Sequence, residues 1–340
     1  MRNIDCRQSD TRNLGRFSAE FLSFLSGFEV VRFLDWQRVN DNADVDWSER
    51  ALQDSASQVG PAGVAIEDMI DLAKSAGVDP WFLMPYRADQ TYITNFARLV
   101  HARLDPERTV YVELGNEVWN DMFDAARQAQ REGLAQGLGS SDPSRAQMMR
   151  YADKHVEAMR IWTEVFADRR DKLVRVLAVQ HANPDLAPLI LEHGETATWT
   201  DALATGPYIW LNLDGYQVAD VDRVFAALPA AVEETIALAS VNRATAARYG
   251  KRYLAYEGGQ HLVTPDLALA RAIQRDPRMA EVYARYLRLW EERIGDTLVL
   301  YASTGPISKD GSWGLREYAG QPLTGAPKLR AVRQYLEDIR

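Results

Sequence analysis

Two glutamates carry the most specific chemistry in the chain. Glu117 stands in residues 110–120 (VYVELGNEVWN) and Glu257 in residues 253–261 (YLAYEGGQH), 140 positions on. Each closes a short apolar run that reads as a buried strand, and small, polar or aromatic residues follow each. Two carboxylates at the carboxyl ends of different parallel strands are what cleavage of a glycosidic bond requires. One delivers a proton to the leaving oxygen while the other attacks the anomeric carbon or activates water.

The elements that position such a pair follow from periodicity. Runs rich in β-branched and aromatic residues occur at 2–6, 30–36, 81–86, 110–117, 173–180, 202–209, 252–258 and 297–304. Helical spacing separates them: Ile66, Met69, Ile70 and Ala73; Tyr92, Phe96, Leu99 and Val100; Met149, Ala152, Val156, Met159 and Phe166; Leu329, Val332, Leu336 and Ile339. Eight strand–helix alternations predict an α/β protein, a single-domain (β/α)₈ TIM barrel over residues 1–340. An open doubly wound sheet competes, but no Gly-rich phosphate loop follows the first run. Residues 128–144 read as a loop or frayed helix, and 305–326 as a long loop after the eighth strand.

In such a barrel the chemistry lies at the carboxyl ends of the strands. In chain order those ends offer Arg32, Asp35 and Trp36; Tyr86 and Arg87; Asn116, Glu117, Trp119 and Asn120; Gln180, His181 and Asn183. Tyr208 and Trp210, then Glu257, Gln260 and His261, then Tyr301 and Ser303 follow, with Trp313 in the last loop. Aromatic rings stack on sugar C–H faces, and amides, His and Arg address hydroxyls. A nucleotide site would instead call for Lys, Gly-rich turns and helix N-termini. Each residue also has a plainer use: Arg32 could neutralise Glu113 or Asp35, and Trp36, Trp81, Trp119 and Trp210 could be core packing.

Bulk composition bounds the partners. The chain has 340 residues, 46% hydrophobic and 26% charged, enough to bury a full core. Its 39 Lys and Arg against 48 Asp and Glu give a formal charge of −9, with no basic run for nucleic acid or an anionic membrane. No apolar stretch is read as a membrane span. The lone Cys6 excludes an internal disulfide and a Cys-built metal site, and no H-x-H or H-E-x-x-H spacing points to a metal. No metal or other cofactor is expected. Residues 1–10 carry no apolar signal region, and the native location is not readable from them.

The Asn116-Glu117 pair ending the fourth run, with a lone Glu257 ending the seventh, resembles the clan of retaining (β/α)₈ glycoside hydrolases that includes the family 5 cellulases. The segments VRFLDWQRVN, WFLMPYRAD and VYVELGNEVWN look most like a group of cellulase-like bacterial proteins. The resemblance implies a carbohydrate substrate and a secreted or periplasmic address. It also implies Glu117 as general acid/base, Glu257 as nucleophile, and Asn116 as a ligand of the sugar 2-hydroxyl. Tyr208 would hold the nucleophile's oxygen, Arg32 would lie beside it, and Trp313 would be an aromatic platform. Glu113 would be structural, paired with Arg32. The chain departs from the family at Tyr86 and Gly206, where family members carry histidines lining the cleavage subsite.

Retention predicts carboxyl groups about 5 Å apart, and inversion roughly 6.5–9.5 Å. Glu257 would be kept ionised by Arg32 and Tyr208, and Glu117 raised in pKa by the neighbouring charge and partial burial. Two other classes stay open: a polysaccharide lyase or metal-dependent barrel, and a carbohydrate-binding barrel without turnover.

Overall fold

A computed structural model of the chain describes residues 15–339, so Cys6 and the strand expected at 2–6 lie outside the described residues. The described chain divides into two compact units, one ending at Leu203 and the other beginning at Ala204.

In the first unit the strands are β1 (Val30–Arg32), β2 (Asp79–Met84), β3 (Val110–Leu114), β4 (Leu173–Ala178) and the start of β5 (Ala202–Thr205), hydrogen-bonded in that order. The β1–β2, β2–β3 and β3–β4 pairs are parallel, with Trp81 opposite Tyr111 and Tyr111 opposite Val174 (β1 Arg32 meets Trp81). β3 and β4 are buried at every position, as strands covered on both faces must be. Between them run helices Ile66–Ala76, Gln90–Arg103 and Pro143–Val165. Asp89 and Asp142 cap the latter two by accepting backbone N–H groups of the first turn, and Pro143 occupies the first helical turn where no donor is needed.

The segment read as a loop or frayed helix at 128–144 is largely helical, the second of the two readings. Helix Asp124–Ala135 runs through it, followed by a 3₁₀ turn at Leu138–Ser141. The glycines that suggested a loop serve close packing instead: a Cβ on Gly133 would lie 2.2 Å from the Ala146 carbonyl oxygen.

The second unit holds the end of β5, β6 (Tyr208–Trp210), β7 (Arg252–Ala255) and β8 (Gly259–His261). β6 and β8 are parallel, with Tyr208 opposite Gly259 and Trp210 opposite His261. The single strand expected at 202–209 is therefore two, broken at Gly206-Pro207. Proline has no N–H for the ladder, and the Tyr208 N–H turns back to the Gly206 carbonyl at 2.8 Å.

The strand expected at 297–304 is not formed. It contributes only isolated bridges, Ala255 with Leu298 and Thr304 with Arg316. The described elements thus give an α/β fold of parallel strands and helices, without the full set of eight barrel strands. The stretch after 304 is irregular up to a 3₁₀ turn at Leu323–Gly325, and helix Pro327–Asp338 closes the chain.

Contrary to the sequence expectation, one helix, Val218–Arg248, is long and apolar enough to cross a membrane by length and composition. Its stripe of Val224, Leu228, Val232, Ile236 and Ala239 is fully buried, the pattern of a core helix.

Candidate active site

In the first unit, β3 ends at Leu114 and the chain turns sharply. Gly115 lies at φ 65° and donates its N–H to the Met84 carbonyl at 2.7 Å. A Cβ there would approach Val118 Cγ2 to 2.6 Å, so the turn demands glycine on both counts. Two residues on, Glu117 also has a left-handed backbone, φ 45°, which is costly for a residue with a long side chain. The turn leaves the Glu117 carboxylate half-buried, with its Oε2 accepting from Asn120 Nδ2 at 2.9 Å.

Beneath this turn lies a buried charge pair. Arg32 grips Glu113 with two hydrogen bonds of 2.9 Å, and their side chains are 2% and 0% exposed. Trp81 Nε1 donates to the same Glu113 Oε2 at 2.9 Å. Arg32 also donates to Asn116 Oδ1 at 2.8 Å, while Asn116 Nδ2 donates to Asn40 Oδ1 at 2.9 Å. The amide next to Glu117 is thereby fixed in orientation, with one N–H still to give.

Other candidates in this unit fall further from chemistry. Tyr86 is 1% exposed and donates its phenol to Glu132 at 3.0 Å, a carboxylate already held by Arg150 and Gln128. Burial, then the Glu132 charge, push that phenol far above its ordinary range, so it remains a neutral donor. As placed, Tyr86 packs and positions. Trp36 is half-buried between Phe21 and Phe33, with ring centroids 6.3 and 5.6 Å away. His181 is half-buried in the turn after β4.

In the second unit, Glu257 follows β7 and is 6% exposed. Tyr208 Oη donates to its Oε2 at 2.7 Å, a short bond to a charged acceptor. Two glycines follow because phenols occupy the space a side chain would need. A Cβ on Gly258 would lie 2.6 Å from Tyr286 Oη, and one on Gly259, at φ 113°, 2.7 Å from Tyr283 Oη. Tyr283 Oη accepts the Gln260 N–H at 3.1 Å and Tyr286 Oη donates to the Pro207 carbonyl at 2.8 Å.

Around Glu257's partner the aromatics form a chain. Tyr208 packs on His261 at 5.5 Å, His261 on Trp313 at 5.8 Å, and Trp313 on Tyr301 at 5.8 Å. Trp313 Nε1 donates to His261 Nδ1 at 3.3 Å, which requires that nitrogen unprotonated. Burial depresses the His261 pKa, in keeping with a neutral ring. Gly206, one of the departures from the family pattern, has a Tyr256 phenol 3.3 Å from where its Cβ would be. Tyr256 fills the space a histidine would take.

Sequence reasoning missed two members of these corners. Asn40 supports Asn116 from the 3₁₀ turn Val39–Asp41, and Lys328 Nζ reaches the Ser312 carbonyl at 2.7 Å. Asn120 and Gln260 were visible only as strand-end residues. The three-residue spacing of Asn120 from Glu117 in a turn was the available signal for the first. Among the described residues no group of three or more His, Cys, Asp or Glu is placed to hold a metal ion.

The sequence matches no protein-family model and no curated protein. The structure is similar to several solved glycosidases. A family 51 alpha-L-arabinofuranosidase from Bifidobacterium longum superposes with TM-score 0.57 at 10% identity, covering 95% of this chain and 68% of that one. The GH51 arabinofuranosidase from Xanthomonas axonopodis pv. citri gives 0.56 at 11%, covering 89% and 63%. A monomeric beta-xylosidase from Caulobacter crescentus CB15 gives 0.50 at 12%, covering 92% and 64%. This chain therefore spans a little under two thirds of the latter two enzymes. At these identities the likeness is one of fold: an α/β arrangement shared with TIM-barrel glycosidases.

Proposed function

We propose that the protein is a glycoside hydrolase, one catalytic (β/α)₈ barrel that cleaves β-glycosidic bonds of an oligo- or polysaccharide with retention. The narrower kinship with family 5 cellulases belongs to the same proposal. Glu257 attacks the anomeric carbon while Glu117 protonates the departing oxygen. Water, deprotonated by Glu117, then hydrolyses the glycosyl-enzyme. Asn116 uses its remaining N–H on the 2-hydroxyl, and Trp313 and His261 line the sugar. The reading rests above all on the Tyr208–Glu257 hydrogen bond of 2.7 Å, because a phenol donating to the buried Glu257 carboxylate fixes where that carboxylate points. The fold shared with glycosidases supports it from outside the chain. Those neighbours include arabinofuranosidases and a xylosidase, so the sugar is chosen by experiment.

The test begins with β-glucans, mannans, xylans, bacterial exopolysaccharides and aryl glycosides, arabinofuranosides included, with product analysis. On the substrate found, Glu257→Ala is expected to be inactive against every leaving group. Glu117→Ala loses about 10²–10⁴-fold on poor leaving groups, far less on good ones, and regains turnover with azide. Equal losses for both variants on all substrates overturn the assignment. An unsaturated product or chelator-sensitive activity replaces it with a lyase or metal-dependent enzyme, and binding without product replaces it with a carbohydrate-binding barrel.

A further inference from the structure

Lys328 is out of place by ordinary rules. It is 4% exposed and lies in the first turn of helix Pro327–Asp338, where the helix dipole disfavours a cation. Its ammonium donates to the Ser312 carbonyl at 2.7 Å, and Gln260 Nε2 donates to the same oxygen at 2.5 Å. Gln260 is itself fixed, since its Oε1 accepts the Leu262 N–H at 2.8 Å. Both donors thus converge on the carbonyl immediately before Trp313.

On the other side of that residue the fit is equally close. A Cβ on Gly311 would lie 2.1 Å from the Trp313 ring, so the indole is folded back on its own loop. Ser308 ties the loop again by donating its hydroxyl to the Gly311 carbonyl at 2.9 Å. The ring then meets His261, which meets Tyr208, which holds Glu257.

We propose that Lys328 and Gln260 are positioning residues, a buried two-donor clamp on the Ser312 carbonyl that sets where Trp313 stands against His261. The functional consequence, tighter sugar binding, rests on the glycosidase reading; the clamp itself does not. A neutral amide and a charged ammonium share one acceptor, so the cation supplies the stronger half of the grip. Burial pulls the Lys328 pKa down to about 7, opposed by the Glu317 charge. Arg316 and Glu317 are the other charged residues around the same small cavity. The charged half of the clamp therefore comes and goes near neutrality.

The experiment labels the full chain with 5-fluorotryptophan and follows the ¹⁹F resonance of Trp313, identified by its absence from Trp313→Phe. Lys328→Met is expected to move or broaden that resonance and leave the other eight indoles in place. In the unsubstituted protein the same resonance shows a step with midpoint near pH 7, apart from the lower-pH titration of His261. That step tests the clamp even if the variant fails to fold. On a glycoside substrate Lys328→Met raises KM roughly tenfold with little change in kcat. A Trp313 resonance indifferent both to Lys328→Met and to pH overturns the clamp, as does a shift shared by every indole. A Trp313 response in a protein that turns over no glycoside supports the clamp and removes only the glycosidase reading.

Discussion

The two glutamate corners are built by opposite means. Glu117 is half-buried on a left-handed turn and accepts a hydrogen bond from an amide three residues along. Glu257 is buried, lies two residues past β7 and is held by a phenol from a different strand. In the first corner the heavily desolvated carboxylate is Glu113, one layer below, and Arg32 neutralises it. In the second it is the functional candidate itself. A proton shuttle must exchange with water and with a leaving group, so partial exposure and a strained backbone suit Glu117. A nucleophile must stay ionised and aimed in a dry setting, which suits Glu257.

The largest effect expected from testing that contrast is on stability. Arg32→Met strands Glu113 as a buried carboxylate without its counter-charge and should cost about 3–5 kcal/mol in urea unfolding. The double variant Arg32→Met/Glu113→Gln should recover most of this, because the pair's desolvation cost disappears with the charge. If the single variant costs under about 1 kcal/mol, the pair behaves like an exposed bridge and the layered picture of this corner fails.

A smaller effect separates the two candidate glutamates. Tyr208→Phe removes a hydrogen bond to a buried anion, worth about 1–3 kcal/mol, and should lower kcat/KM roughly 10- to 100-fold. Asn120→Ala should cost only a few-fold, because water can replace the amide at half-buried Glu117. Equal losses from the two substitutions would erase the distinction between the corners.

Much of this contrast was visible in the sequence. β2, β3 and β4 came from nearly continuous apolar runs, broken by single charged residues such as Glu113 and Arg175, and such runs are forced wherever helices cover both faces of a sheet. The carboxylates stood out because a glutamate closing such a run has no core reason to be there. The run at 297–304 has similar composition yet forms only bridges, and ladder formation depends on partners that composition does not encode. The break at Gly206-Pro207 was written in the chain and overridden by the apolar residues on either side. Lys328 was invisible for a different reason: a lysine in a helix's first turn reads as solvent-facing, and only distant packing makes it buried.

That buried lysine gives the gentlest test, in the second corner alone. Its pKa is about 7 in the folded chain and near its ordinary 10.5 when unfolded. Between those values the unfolded state holds more of the proton, so folding stability rises with pH. The relative stabilisation is complete above pH 10.5 and is lost as pH falls toward 7. The slope approaches at most about 1.4 kcal/mol per pH unit. Urea unfolding of the unsubstituted chain and of Lys328→Met at a series of pH values isolates this contribution, because every other titration is common to both. The difference should shift in favour of the lysine as pH climbs from 7 and level off below it. A difference flat across that window would mean that Lys328 keeps an ordinary pKa. The asymmetry between a dry corner around Glu257 and a wetter corner around Glu117 would then lose its outermost support.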